Sequence, residues 1–385
     1  MASAQKRANG TWLGRYRGAD GRERAKSFGR KGDALRWAQE QESRVRTLDW
    51  TDPTRAKVTI GELAGPWLAS HEVKPKTRAS YESLMKTCVL PAWESVRVDR
   101  ITPTEVRTWV GSMAGAQGVL LSASRRRQAY HLLTALLDSA VQDGRLPRNP
   151  AVPNGRRGRS KGFLPSIPRA RDRRYLRHEQ VLRLAGAASE YESLILVLGY
   201  CGLRWGECAA LRVRNVDLLR GRLMVEGSLA EVNGRLIFGS TKAHASRSVP
   251  VPAFLRERLA TAMTEKGRDD LLFTSPEGGP LRLSNFRQRV FDPAVRSAGL
   301  DGLTPHGLRH TAASLAVNSG ANVKAVQRML GHASAAMTLD VYADLFDDEL
   351  DDVAGRLDGE VSRARADLLR TEGSSEVAEL ASVRV

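Results

Sequence analysis

Six side chains in the second half of this 385-residue chain are of the types needed to break a phosphodiester bond: Arg204, Lys242, His306, Arg309, His332 and Tyr342. A tyrosine hydroxyl can attack phosphorus and leave a covalent intermediate. Two arginines can hold the non-bridging oxygens, while lysine and histidine can carry the protons. Each residue alone is unremarkable. Their order, and the short sequences around each, make the set informative.

Arg204 lies in Tyr200-Cys201-Gly202-Leu203-Arg204-Trp205-Gly206-Glu207, where an apolar helix is expected to turn at a glycine into a second helical segment. A guanidinium at a helix start can face an anion together with free backbone amides. Glu207, three residues on, can orient it. Lys242 falls between two extended runs, so a hairpin with a basic tip is expected there. In Thr304-Pro305-His306-Gly307-Leu308-Arg309-His310-Thr311, Thr304 can cap a helix and Pro305 suits its first position. His306 and Arg309 then share a face at i, i+3, and His310 is expected to point elsewhere. Val323, Val326, Met329 and Leu330 trace an amphipathic helix ending at Gly331, which puts His332 just past its terminus and Tyr342 ten residues later.

The rest of the chain suits a polyanionic partner. Lys and Arg number 60 against 43 Asp and Glu, for a net charge of +17 and a pI near 10.3. Such a surplus favours nucleic acid. It is concentrated in the first 57 residues and again over 153–177, whereas the end of the chain is acidic. Three scattered cysteines, Cys88, Cys201 and Cys208, suggest buried free thiols rather than a disulfide framework or a metal site. The longest apolar stretch falls short of the roughly 20 residues of a membrane span, and no secretory signal follows Met1. A soluble protein of a reducing cytoplasm is the expectation.

The elements that must position these groups form three units. Residues 10–28 alternate as a small hairpin around Ala19-Asp20-Gly21, and a helix follows from Asp33 as its N-cap, giving a ββα-like unit to about residue 52. Arg15, Arg17, Arg22, Arg24 and Lys26 fall on or between its strands. From Ile60 to about Pro150 four helices are expected, one starting at Thr102-Pro103 and one running from Ser122 to Gly144. Lys74, Lys76, Arg78, Arg125, Arg126 and Arg127 lie on their polar faces and are candidates to grip a duplex backbone. Residues 153–174 make a basic connector, and a second globular unit begins near Tyr175.

The Gly-Leu-Arg-x-x-Glu, His-x-Leu-Arg-His-Thr and Leu-Gly-His-Ala blocks resemble those of the tyrosine recombinases, specifically the phage-type integrases, over residues 175–355. The resemblance implies an α+β, multidomain chain: an arm-type DNA-binding domain over 1–52, built as a small β-sheet plus helix, and a helical core-binding domain over 58–152. The linker 153–174, a mainly α catalytic domain with a small β-sheet over 175–355, and a tail over 356–385 complete it. It also implies a site-specific recombinase that cuts DNA through a 3′-phosphotyrosyl link at Tyr342, with no cofactor and no metal. In that scheme His306 takes the tyrosine proton, Arg204 and Arg309 stabilise the phosphorane charge, Lys242 protonates the leaving 5′-oxygen and His332 hydrogen-bonds the phosphate. The partners implied are double-stranded attachment sites and three further copies in a homotetramer that passes through a Holliday junction. A directionality factor and a DNA-bending host protein are further candidates, and Val361, Leu368 and Leu369 could pack on a neighbouring copy. Many members have His two residues after the nucleophile; here that position is Asp344.

Three other readings compete. A chromosome-dimer resolvase would ordinarily lack the unit over 1–52. A type IB topoisomerase shares the tyrosine chemistry but needs no paired sites. A silent DNA-binding regulator on the same scaffold would have no need of Tyr342 or Lys242.

Overall fold

A computed structural model describes residues 2–47, 52, 54–115, 117–152, 163–167, 175–240, 246–342, 355 and 357–367, with backbone alone over 340–342. The chain divides into two compact units, Met1–Arg169 and Ala170–Val385.

The first unit opens with an antiparallel sheet of β1 (Ser3–Lys6), β2 (Trp12–Arg17) and β3 (Glu23–Phe28), in that order. Helix α1 (Lys31–Arg46) packs on it so closely that a Cβ on Gly14 would collide with the carbonyl of Ala34. Two details differ from expectation. β1 is a short, largely exposed edge strand with no apolar alternation to reveal it. The helix starts three residues early, with extended Arg30 as its cap, and Asp33 sits inside the first turn, where the helix dipole favours a carboxylate.

The helical part of this unit follows the start signals in the sequence. Thr59 and Glu62 form a reciprocal capping box on α2 (Ile60–Ser70), and Thr102 and Glu105 do the same on α5 (Pro103–Ser112). Between them α3 (Pro75–Leu84) continues through a π turn, Met85–Val89, into α4 (Leu90–Trp93). Ser122 caps α6 (Ala123–Gln142), and Gly144 leaves it with a positive φ of 66°. Ile60, Val89, Val106, Leu133 and Leu137 meet in one core. The buried Tyr130 hydroxyl donates to the Ala151 carbonyl at 2.8 Å and ties the chain after α6 back onto the bundle.

In the second unit, α7 (His178–Ala187) precedes α8 (Glu192–Leu196), which runs on as a π turn, Val197–Cys201, before α9 (Trp205–Ala209). Strands β4 (Val216–Asp217), β5 (Arg222–Val225), β6 (Gly227–Val232), β7 (Arg235–Ser240) and β8 (Arg247–Pro250) come next. β6 and β7 pair with each other, whereas β8 returns to β5 in a sheet ordered β4-β5-β8. The strands that flank Lys242, β7 and β8, therefore do not pair with each other as the expected hairpin requires. The turn lies instead at Asn233-Gly234, both at positive φ, the conformation an Asn-Gly pair adopts most readily. Residues 241–245, Lys242 among them, are outside the described residues.

After α10 (Ala253–Met263), α11 (Leu283–Phe286) passes through a π turn, Arg287–Phe291, into α12 (Asp292–Ser297); α13 (Pro305–Asn318), α14 (Val323–Leu330) and α15 (Ala335–Tyr342) follow. The core of this unit is built on the wholly buried run Leu194–Leu198 together with Leu223, Val249 and Leu308. A separate cluster of Ala313, Val317, Val326 and Leu330 joins α13 to α14. Leu357 and Val361 are exposed on a helical segment over 357–367, and Leu368 and Leu369 are outside the described residues. No described helix is long and apolar enough to cross a membrane. The α+β class with small sheets is the architecture observed.

Leu133 is fully buried at the centre of the bundle. Leu133→Ala is expected to cost about 2–5 kcal/mol, read as a lowered urea midpoint with an unchanged slope; a loss under about 1 kcal/mol would contradict this packing.

Candidate active site

The site is organised by a carboxylate. Glu207, in the middle of short α9, is 1% exposed. Its Oε1 accepts from Arg204 Nη1 at 2.8 Å and Arg247 Nη1 at 3.0 Å, and its Oε2 accepts from the Arg204 backbone amide at 2.8 Å and Arg247 Nη2 at 2.6 Å. Four donors fill the roughly four lone-pair positions of a carboxylate. Burial alone would raise its pKa, but the Arg247 fork and then Arg204 outweigh burial and hold it at about 2. Glu207 is thus a fixed anion around which two cations are set.

Arg204 is the N-cap of α9. The chain reaches it through the π turn and Gly202, whose φ of +64° ends the preceding helix; a Cβ there would stand 2.8 Å from Leu330 Cδ2. Its side chain is 27% exposed and also reaches the Gly331 carbonyl at 3.4 Å. Arg309 comes from α13, whose start is formed as expected: Thr304 caps the helix through the Gly307 amide and Pro305 occupies the first turn. The guanidinium is 2% exposed and donates at 2.6 Å to both the Gly202 carbonyl and the Leu330 carbonyl. It therefore pins the turn before Arg204 to the end of α14.

His306 is exposed at the start of α13, and its ring lies 4.9 Å from that of His310 in an edge-on contact. His310 was expected to point elsewhere, but the i, i+4 spacing puts it on the same side. α14 ends at Gly331 with φ +65°, which puts half-buried His332 immediately beyond. Its Nδ1 is 3.0 Å from the hydroxyl of fully buried Thr338. Burial, then Arg309, Arg204, Arg247 and His306, push the His332 ring down to about 4. These cations arrive from α9, β8 and α13, and they converge on one imidazole. Tyr342 is the last residue of α15, and its side chain, like Lys242, is outside what the structure describes.

The candidate duplex contacts are placed differently. On the N-terminal sheet, Arg15 and Arg17 lie opposite Ala25 and Glu23, whereas Arg24 and Lys26 lie opposite Tyr16 and Gly14, so the four divide between two faces. Arg15 pairs with Glu23, and Arg24 pairs with both Asp20 and Asp52. Lys26 lies 5.5 Å from the Phe28 ring, and Arg22 is exposed in the turn. In the bundle, Arg78 closes the end of α2 through the Leu68 and His71 carbonyls, and Arg126 donates to the carbonyls of Val110 and Gly111 at the end of α5. Arg125 donates to Ser83 and Thr87, and Arg127 to the Pro165 carbonyl. Lys76 is exposed and Lys74 half-buried. Arg78, Arg125, Arg126 and Arg127 therefore make structural contacts within the bundle unit.

Sequence reasoning missed Arg247. Its position in an Arg-Ser-Val-Pro strand reads as a solvated face. The one local signal was Glu207, an acid beside Cys208-Ala209-Ala210-Leu211 that needs more than one cation if it is buried.

Comparison with known proteins agrees with this geometry. The Phage integrase family pattern matches residues 174–349, which contain all six candidate residues and Arg247. The putative prophage phiRv2 integrase of Mycobacterium tuberculosis is 26% identical over 343 residues, covering 86% of this chain and 88% of that protein. Tyrosine recombinase XerC of Mycobacterium bovis is 31% identical over 256 residues, covering 63% of this chain and 78% of XerC. The chain belongs to the phage integrase family of tyrosine recombinases. The fold of this recombinase is also that of the Tn1549 transposon integrase in complex with a circular intermediate DNA, at a TM-score of 0.65 and 20% identity, covering 76% of this chain and 99% of that one.

The recombinase should keep His332 neutral well into acid. An unfolded imidazole gains its proton near pH 6.5, whereas the folded ring does so only at about 4. Its contribution to stability is therefore complete above about pH 6.5 and is lost as pH falls towards the folded value. A proton NMR titration is expected to show the His332 ring unprotonated at about pH 5.5; a midpoint near the ordinary His value of about 6.5 would contradict the cationic enclosure.

Proposed function

We propose that this site-specific recombinase integrates and excises a phage or other mobile element by cutting DNA through Tyr342. The Tyr342 oxygen attacks phosphorus, the bond to the 5′-oxygen breaks, and a 3′-phosphotyrosyl link and a free 5′-hydroxyl result. His306 takes the tyrosine proton, and Lys242 delivers one to the leaving oxygen. Arg204 and Arg309 carry the charge that develops on the phosphorane. His332 donates from Nε2: a neutral ring that accepts the Thr338 hydroxyl at Nδ1 carries its proton on the other nitrogen.

The observation that carries this reading is the meeting of Arg247, Arg309 and Arg204 on the carbonyls of Met329, Leu330 and Gly331, the three residues before His332, with Glu207 shared between Arg204 and Arg247. Three guanidiniums and one carboxylate leave a net positive pocket, the complement of a phosphodiester. The tyrosine on α15 follows within ten residues of His332 on the same stretch of chain. We assign residues 1–52 to arm-type sites and 58–152 to the core site, joined by the basic linker 153–174. Residues 175–355 are assigned to catalysis, and 356–385 form the tail. Double-stranded attachment sites are the substrate, four copies act together across a Holliday junction, and a directionality factor and a DNA-bending host protein are candidate helpers in the host cytoplasm. Support for DNA as partner comes from the net charge of +17 and from the Tn1549 integrase in complex with a circular intermediate DNA.

The test uses duplexes from the junctions of the element that encodes the chain, nicked so that cleavage is trapped. Wild type should form a covalent adduct in EDTA, whereas Tyr342→Phe should bind without one. Lys242→Ala should slow single-turnover cleavage by about 10²–10⁴-fold, and a substrate with sulfur as the 5′ leaving atom, which departs without a proton, should restore most of the rate. Tight binding by wild type with no adduct would instead favour the DNA-binding regulator.

A further inference from the structure

Arg247 is the first residue of β8. It is 12% exposed, and all three guanidinium nitrogens are committed. Nη1 and Nη2 grip the two oxygens of Glu207, and Nε donates to the Met329 carbonyl at 3.1 Å. The contact is close on its other side as well: a Cβ on Gly331 would stand 2.9 Å from Arg247 Cδ. One side chain thus links β8, the carboxylate that orients Arg204, and the last turn of α14 before His332.

We propose that Arg247 is a positioning residue that sets Arg204 and His332 in register through Glu207 and the last turn of α14, so that the groups that bind the phosphate are fixed by one shared clamp. The inference rests on the recombinase reading above. Its logic is the donor count at Glu207. Without Arg247 two of the four donors vanish, and the carboxylate can no longer fix one rotamer of Arg204. The Met329 carbonyl loses its partner too, and with it the last turn of α14 loses its tie to β8. His332 is faced by Arg309, Arg204, Arg247 and His306, so its environment also records whether the clamp is closed.

Single-turnover cleavage of the nicked junction duplex would be followed from pH 5 to 8.5 with wild type, Arg247→Lys, Arg247→Met, Arg204→Ala and the Arg204→Ala/Arg247→Met double variant. Arg247→Lys keeps a cation beside Glu207 but loses the fork, and is expected to bind the duplex and cleave on the order of 10–100-fold more slowly, the usual effect of removing an orienting partner. Arg247→Met should add an acid-side inflection absent from wild type, as His332 takes up its proton at higher pH. The double variant should lose less than the product of the two single losses, because both substitutions disable the same step. Wild-type rates in both Arg247 variants, or losses that multiply with a pH-independent ratio to wild type, would reduce Arg247 to a packing role and overturn the proposal. If wild type itself forms no adduct, the recombinase reading fails, and that outcome is distinct from either.

Discussion

A carboxylate with no access to water is the constraint on which this site depends. Taking a charged group out of solvent is costly unless every lone pair is met, and Glu207 meets that condition only by drawing in Arg204 from its own helix turn and Arg247 from a strand forty residues away. Once those partners are fixed, much else follows. Arg204 is held at the start of α9 with part of its surface open to a ligand. Arg247 holds the strand that continues from the Lys242 segment, and its Nε holds the end of α14. The same carboxylate that a simple folding argument would count as a liability is therefore the organising charge of the pocket.

Around that anion the backbone is bent where side chains could not allow it. The π turn before Gly202 and the left-handed conformations at Gly202 and Gly331 bring two carbonyls, those of Gly202 and Leu330, within reach of buried Arg309. π turns inside helices are frequent at functional sites. Here one re-aims the chain so that an apolar helix in the core delivers a cation to the surface of the pocket. The result is a preorganised field: cations from three elements keep His332 neutral before any substrate arrives, so it can serve as a hydrogen-bond donor without first losing a proton. An incoming phosphate supplies the negative charge that the enclosure lacks.

Much of this was legible in the sequence where the physics is local. The i, i+3 spacing of Arg204 and Glu207, the Thr304-Pro305 helix start, the capping signals at Thr102 and Ser122, and the glycine stop before His332 each concern residues within one turn of one another, and the structure forms all of them. Non-local contacts left no such trace. Nothing near Arg247 indicates that its partner is Glu207, and nothing in α6 indicates that Arg125, Arg126 and Arg127 meet hydroxyls and carbonyls of other elements. An arginine pattern on a polar helix face reads the same whether it meets solvent, a duplex or a neighbouring helix end. β1 escaped for another reason: a four-residue polar edge strand is specified by its partner rather than by its own alternation. The pairing of the strands on either side of Lys242 was misread because Asn233-Gly234 offers stronger turn chemistry earlier in the chain.

The central claim is that Tyr342 forms the covalent bond to DNA, and peptide mapping of the trapped adduct tests it most directly. Tyr342 is the one tyrosine between Arg328 and Arg356, so trypsin and nuclease digestion of the wild-type adduct should yield a single modified peptide over 329–356. Fragmentation should place a 3′-linked nucleotide on Tyr342. A nucleotide on any other residue, or an adduct that survives Tyr342→Phe, would contradict the account.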